Sequence, residues 1–411
     1  MSLLETPAAL ALLEEAVVPL GAVQGGLRRL ARFLERYLPW FYRKEQRVWA
    51  SVVLEGRLSN LKRKTNEPIA RQAGHARKPI QKFVGAGKWD DDAVLRQLRR
   101  HVAEAWADDH AVLIFDGSAF AKKGNDSCGV ARQWCGRLGK IENCQVGVFT
   151  AYATQHGQTL VDQDLYLPQD WAEDPQRREQ CHVPKDVTFQ EKWRLALRQW
   201  ELCRTLPHAW VTADDEFGRV TEFRQALRKG GERYVLDVPC NTLVRDLEGP
   251  REVGPSGQPR LPAFEQAQAW AARQPASAWT KLTVRAGEKG LVVVRALTRL
   301  VQTKDEEGRV GRVERLLVVR PVNQTGDVTY ALSNALTGEL AELVWAKGQR
   351  PRIEQALQAG KGEVGLSDYE VRSWVGWHHH MTLSLLALWF LNLEKTAVEK
   401  KRRGSQCRNC G

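Results

Sequence analysis

The sequence predicts an α/β protein, in which a domain of alternating strands and helices follows an all-helical segment and is interrupted by a mostly β segment. Three patterns support this prediction. Apolar residues recur at helical spacing within 1–105, short apolar runs alternate with amphipathic helices over 106–238, and strand patterns bounded by prolines dominate 239–335. Residues 336–396 return to helix and complete the α/β domain, and residues 397–411 form a basic tail that we expect to be mobile.

The first segment is basic as well as helical. Helical spacing is clearest in LRRLARFLERYL and in DDAVLRQLRRHVAEAW, whose acidic residues suit a helix start. From Leu27 to Ala105 there are 19 Lys or Arg and 8 Asp or Glu, a net charge of +11 against +12 for all 411 residues. Cations gathered in this way, with aromatic residues between them, favour binding to nucleic acid phosphates. A solvated basic face is the alternative. The candidate contacts lie beside a predicted turn: Lys62, Arg63 and Lys64.

The α/β pattern begins abruptly after the basic segment. Apolar runs predict strands in AVLIFDG, CQVGVFTAYAT, TLVDQDLYLP, WVTADDEFG and YVLDVP. Helices are predicted in TFQEKWRLALRQWELCRTL and GRVTEFRQALRKGG, which separate the later strands. After the β segment, PRIEQALQAGKGEVGL contains a helix, and a last apolar helix runs from His379 to Leu393.

Composition and charge exclude several functions. The longest apolar run, Leu385 to Leu391, is far shorter than the ~20 residues of a membrane span. The apolar N-terminus carries acidic residues and no basic start, so we do not expect a signal peptide. Eight cysteines in so long a chain are most simply reduced thiols of a cytoplasmic protein. Cys407 and Cys410 form half of a zinc site without an evident second half.

Two aspartates follow apolar strands and are candidates for catalysis. Asp116 ends AVLIFD, and Asp214 follows WVTA. Carboxylates at a sheet edge suit Mg²⁺ or Mn²⁺, which take oxygen ligands, although an Asp at a strand end is often only a turn or a helix cap. A third acidic residue on a later helix, Glu354 in RPRIEQALQAGK, favours the metal interpretation.

The order Asp116, Asp214, Glu354 resembles that of the DDE transposases of bacterial insertion sequences. The spacing of Arg350, Glu354 and Lys361 is similar to the Tyr-Arg-Glu-Lys signature of one branch of that family. Further similar phrases are FDGSAFAKKGNDSCGVARQWCG, NCQVGVF, LYLPQDWAED and GKGEVGLSDYEVRSWVGWHHHMTL, and the resemblance covers roughly residues 33 to 393. One departure is that Lys347 stands where the signature has tyrosine.

The resemblance implies an RNase H-like fold with a β insertion before the helix of Glu354. It also implies hydrolysis of a phosphodiester at the element's end, followed by attack of the freed 3′-OH on target DNA. Two Mg²⁺ or Mn²⁺ ions about 4 Å apart would serve this displacement, held by Asp116, Asp214 and Glu354. The expected partners are the terminal repeats of the element and target DNA. The protein is expected to form a homodimer on DNA. The cations that would hold phosphates are Arg350, Lys361, Lys122 and Lys123.

Two other functions stay open at this point. The chain could be a DNA-binding protein derived from a transposase without catalysis, or a nuclease on the same scaffold. The histidines His378 to His380 are predicted to pack rather than to bind metal, and Trp279 and Trp345 are weaker candidates for stacking on an unpaired base.

Overall fold

A computed structural model describes residues 25–408 apart from 137, 254–257, 288–289, 306 and 323–326. The first part of the described chain is helical. Its helices are α1 (Gly26–Glu35), α2 (Lys44–Leu58), α3 (Asn66–Gln72), α4 (Arg77–Ala86) and α5 (Asp91–Trp106). The Asp90 carboxylate accepts a hydrogen bond from the Ala93 amide, so the acidic start of α5 is an N-cap.

Strands and helices then alternate. The strands are β1 (Val112–Ala121), β2 (Ala131–Cys135), β3 (Lys140–Thr154), β4 (Gly157–Leu165), β5 (Trp210–Ala213) and β6 (Tyr234–Val238). The helices are α6 (Gln169–Ala172), α7 (Pro175–Gln180), α8 (Lys192–Cys203), α9 (Asp215–Gly218) and α10 (Thr221–Lys229). The sequence did not predict β2, because ARQWC is short and half exposed and has no continuous apolar run.

The segment after β6 is mostly β. Its strands are β7 (Leu243–Asp246), β8 (Glu252–Val253), β9 (Pro259–Arg260), β10 (Glu265–Gln266), β11 (Thr280–Gly287), β12 (Gly290–Lys304), β13 (Val310–Pro321) and β14 (Thr329–Ser333), with helix α11 (Ala267–Ala272) among them. The chain then forms α12 (Leu340–Lys347), α13 (Pro351–Glu363) and α14 (Trp374–Arg408). Helix α14 continues through Arg408 and so includes most of the predicted basic tail.

A single mixed sheet joins both halves. Twelve strands form it, in the order β10-β7-β12-β13-β14-β6-β5-β1-β3-β2, with β11 beside β12 and β4 beside β3. Strand β5 pairs in parallel with β1 and with β6, and β14 joins β6 in antiparallel fashion. The strands that sequence analysis assigned to an interruption therefore extend the same sheet.

Helix α14 packs the N-terminal helices onto the sheet. Its Phe390 contacts Phe33 of α1 edge to face, with ring centroids 5.3 Å apart. The buried Arg57 guanidinium of α2 donates to Ser384 Oγ of α14 at 2.9 Å. Arg99 of α5 pairs with Asp162 of β4 at 2.8 Å, and both side chains are buried. The helical segment and the sheet thus share one core. No helix within the described residues is long and apolar enough to cross a membrane.

Candidate active site

Three acidic residues occupy equivalent register positions on, or directly after, adjacent parallel strands. Phe115 of β1 pairs with Ala213 of β5, and Ala213 pairs with Leu236 of β6. The next residues along these strands are Asp116, Asp214 and Asp237. The apolar runs of β1 and β5 are buried in the core and fix the backbone that carries these carboxylates.

Asp116 is nearly buried, with 8% of the residue exposed. Burial, followed by the negative charge of Asp214, raises the pKa of Asp116 to about 7. Asp214 follows β5 and caps helix α9, because its Oδ1 accepts from the Glu216 amide at 3.1 Å. The alternative that sequence analysis left open, a helix cap, thus applies to Asp214. Burial, followed by the charge of Glu216, raises the pKa of Asp214 to about 6.

Glu354 approaches the two aspartates from helix α13, where it lies in the first turn. Pro351 opens this helix, as its position predicted. The Glu354 carboxylate pairs with Arg350, whose guanidinium also lies 3.9 Å from Asp116. Arg350 is half buried and interacts electrostatically with Asp116, Glu354 and Asp214. One cation thus lies among the three carboxylates that the sequence singled out.

Carboxylates of this kind suggest a site for a divalent metal ion. Across the described ranges, no three acidic, His or Cys side chains are arranged closely enough to hold an ion. As the site stands, Glu354 pairs with Arg350 instead of converging with Asp116 and Asp214. The chemistry of the set still fits, because its ligands are carboxylate oxygens and the two aspartates have raised pKa values that a nearby cation would lower.

Lys361 lies beside the strand that carries Asp116, whereas Lys122 lies six residues beyond Asp116 in the sequence. Lys361 Nζ lies 2.8 Å from Ser118 Oγ, two residues beyond Asp116 on β1. Lys122 Nζ lies over the Tyr369 ring, 3.3 Å from its centroid, and burial lowers the pKa of Lys122 to about 8. Lys123, next to Lys122, is exposed.

The three cations of residues 62–64 have different roles. Lys62 is exposed, and Arg63 is exposed but paired with Glu370 at 2.9 Å. Lys64 is buried, and its ammonium donates to the main-chain oxygens of Arg57, Ser59 and Glu363. All three donors of Lys64 are therefore used inside the protein. The prediction that Lys64 contacts DNA is wrong, and the residue instead holds the end of α2 against α13.

Sequence reasoning missed Asp237 as a member of the site. Lys347, at the position of the family's tyrosine, forms an ion pair with Asp237, and both side chains are largely buried. The available signal was the strand YVLDVP, in which an Asp interrupts an apolar run as it does in β1. Glu216 was also missed. It pairs with Lys192 at 2.5 Å and lies near Asp214 and Gly117.

Other candidates lie elsewhere. His378, His379 and His380 are buried in α14, and burial lowers their pKa values, which agrees with a packing role. Trp279 and Trp345 are partly buried against the hydrophobic clusters of the sheet. The Cys407 side chain and Cys410 lie outside the described residues.

Comparison with known families identifies the superfamily of this chain. A family model described as DDE superfamily endonuclease matches residues 36–291, more than half of the chain. The chain belongs to the DDE superfamily of endonucleases, which has transposase or nuclease functions and generally uses divalent metal ions. The match includes Asp116 and Asp214 and ends before Glu354. The chain matches none of the curated proteins with which it was compared.

Proposed function

We propose that this protein is a DNA transposase of the branch with the Tyr-Arg-Glu-Lys signature, which hydrolyses a phosphodiester at transposon ends and transfers the 3′-OH to target DNA. The observation that carries the proposal is the arrangement of Asp116, Asp214 and Glu354 around Arg350 in a chain of the DDE superfamily. The spacing of Arg350, Glu354 and Lys361 on one helix supports the branch.

The three carboxylates would hold two Mg²⁺ or Mn²⁺ ions, which supply an activated water and stabilise the leaving oxygen. Asp116 and Asp214 are preorganised for this role because adjacent strands fix their backbones. Glu354 would become available to bind metal if the Arg350 guanidinium left it to bind a DNA phosphate. A guanidinium can bind a phosphate through two parallel hydrogen bonds. Lys361, which donates a hydrogen bond to Ser118, would add a second positive charge beside strand β1.

The N-terminal helices would bind the ends of the element. Helix α4 buries Ile80, Phe83 and Val84 on one face. Lys78 and Lys82 lie on the opposite face and are exposed. A ridge of cations of this kind suits the groove and phosphates of a DNA duplex. Lys62, Arg63, Lys122 and Lys123 would continue the surface toward the carboxylates, because Arg63 and Lys122 both lie near Glu370. Paired ends would require a homodimer on DNA.

Two alternatives remain distinct from this proposal. A DNA-binding protein without catalysis would not need three carboxylates near one another, so their presence favours an enzyme. A nuclease on the same scaffold would cut without preference for terminal repeats and would join no ends to target DNA. The products of the reaction therefore separate the nuclease from the transposase.

The substitution Glu354→Gln tests the division between binding and chemistry. The side chain is half exposed and its ion pair with Arg350 lies within one helix, so the stability change should stay below about 0.5 kcal/mol. We expect end binding within about twofold of wild type, because phosphate contacts dominate affinity. Cutting should fall by at least ~100-fold, because metal stabilisation contributes several kcal/mol.

Glu363→Gln is the matched control, since Glu363 is exposed on the same helix and accepts the Lys64 hydrogen bond through its main-chain oxygen. It should bind and cut as wild type does. Loss of end binding in a folded Glu354→Gln protein, or full cutting activity in it, would contradict the proposal.

A further inference from the structure

Three cations stand side by side across strands β11, β12 and β13. Lys281 of β11 is the direct antiparallel partner of Arg295 of β12, and Arg295 is the direct partner of Arg320 of β13. Directly paired residues project from the same face of a sheet. The three side chains therefore form one row, which we name the cation row.

The cation row is exposed, and its members have no acidic partner among the described residues. Lys281, Arg295 and Arg320 are all exposed. Within the part of the chain that the structure describes, none of them lies within 4 Å of a carboxylate oxygen, whereas Arg299 on the same face of β12 pairs with Asp246. The guanidinium of Arg320 lies over the partly buried Trp279 ring, 4.4 Å from its centroid. This interaction holds one end of the row in place.

Like charges in direct cross-strand register repel each other and destabilise a sheet. A stretch of three such residues is not what folding stability favours, because a single acidic residue in the middle would turn repulsion into attraction. Strands lie about 4.8 Å apart, so the row spans roughly 10 Å. That length exceeds a single small anion and suits a partner with several negative charges along a line.

The cation row lies toward the same end of the strands as the catalytic carboxylates, but on the opposite face of the sheet. Val319 of β13 pairs with Thr329 of β14, and Tyr330 pairs with Val238 of β6, so Arg320 falls just beyond the end of β6 that carries Asp237. Asp237 shares its face with Leu317, and the alternation along β13 places Arg320 on the opposite face. Counting strands from β1, the row begins roughly 20 Å from Asp116 and ends roughly 30 Å away.

We propose that the cation row binds the phosphate backbone of a DNA duplex, at a site separate from the scissile phosphate. The inference rests on the proposed function, since a DNA transposase must hold duplex on both sides of the point of cutting. The row offers one ammonium and two guanidinium groups, which bind phosphate oxygens through charge and hydrogen bonds. Recognition by the row is therefore independent of sequence and depends strongly on salt.

The test uses full-length protein, a duplex of random sequence without terminal repeats, and fluorescence anisotropy in EDTA at several salt concentrations. The variant carries Lys281→Gln, Arg295→Gln and Arg320→Gln together. Removing one cation that neutralises a phosphate reduces the slope of log affinity against log salt by about 0.9, so we expect the slope to become shallower by roughly 2 to 3. The matched control is Arg312→Gln. Arg312 is exposed and lies at the opposite end of β13 from Arg320, so its substitution should leave the slope unchanged.

Thermal unfolding of the same variants separates binding from folding. Removing repelling charges should leave the unfolding temperature of the triple variant equal to or above that of wild type. If the triple variant keeps the wild-type slope of log affinity against log salt, the proposal that the cation row binds DNA is wrong, even if the wild-type protein cuts element ends. A shallower slope supports the row whether or not wild type cuts, because the binding assay contains no divalent metal. Wild-type protein that binds no duplex in EDTA also overturns it.

Discussion

Arg224 is the residue by which the stability of the joined sheet can be tested. Its guanidinium donates to Glu314 of β13 at 3.1 and 3.3 Å, to the main-chain oxygen of Gly218 at 2.6 Å, and to Thr303 of β12 at 3.3 Å. Arg224 and Glu314 are both about 95% buried. One side chain therefore links the turn after Asp214 to two strands of the β segment.

The substitution Arg224→Leu would leave the Glu314 carboxylate buried without its main cation. Tyr234 still donates to Glu314 at 2.5 Å, and Arg228 remains 4.0 Å away, so the charge keeps partial compensation. Breaking a buried pair from one side costs about 3–5 kcal/mol, and these neighbours place the expected loss near the lower end, about 3 kcal/mol. Replacing both partners, Arg224→Leu with Glu314→Leu, should recover part of that loss because no charge stays buried.

Urea unfolding followed by tryptophan fluorescence and circular dichroism measures the loss. Arg219→Leu is the control, since Arg219 contacts Asp215 through an exposed ion pair and a hydrogen bond to its main-chain oxygen. This substitution should cost less than about 0.5 kcal/mol. Because Arg224 also holds Gly218, the single variant should cut DNA more slowly than the control under conditions in which both are folded. An Arg224→Leu protein whose unfolding free energy lies within about 1 kcal/mol of wild type would refute the reasoning.

Two further predictions concern Lys122 and the turn that follows Asp214. Burial lowers the pKa of Lys122 to about 8, so its charge is present at pH 7 and lost as the pH rises to 9. Between pH 7 and pH 9, DNA affinity at 0.1 M salt should then fall by up to roughly eightfold more in wild type than in Lys122→Arg. An equal pH dependence of the two proteins would exclude Lys122 from the DNA-binding surface. A Cβ at Gly218 would overlap the main-chain oxygen of Asp237. Gly218→Ala should therefore cost about 1–3 kcal/mol and slow cutting, whereas Gly362→Ala, with no atom within 4 Å of its Cβ, should do neither.

Local patterns in the sequence predicted the parts of the fold that depend on neighbouring residues. Strand β5 is an apolar run followed by Asp214, and Pro351 marks the start of α13, so these elements were expected near their observed positions. Strand β1 begins with the expected apolar run but continues past Asp116 to Ala121. The single sheet was not expected, because pairing of β14 with β6 joins residues about a hundred positions apart and leaves no trace in periodicity.

The candidate site was predictable in its residue types but not in its pairing. The three carboxylates were singled out by apolar runs that precede Asp and by helical spacing, whereas the ion pairs of Arg350 with Glu354 and of Lys347 with Asp237 depend on how α12 and α13 pack on the sheet. Lys64 shows the same limit. Its neighbours in sequence are exposed cations, but its own ammonium is used by three main-chain oxygens from α2 and α13.

The most direct test of the central claim is cleavage mapped to the nucleotide on duplexes that carry the DNA flanking this gene. Wild-type and Glu354→Gln proteins would each be incubated with Mg²⁺ or Ca²⁺. The account predicts cutting at a repeat boundary that requires Mg²⁺, is lost in the variant and leaves 3′-OH ends able to join target DNA. Tight binding of these duplexes by wild-type protein, with no cutting under either metal, would contradict it.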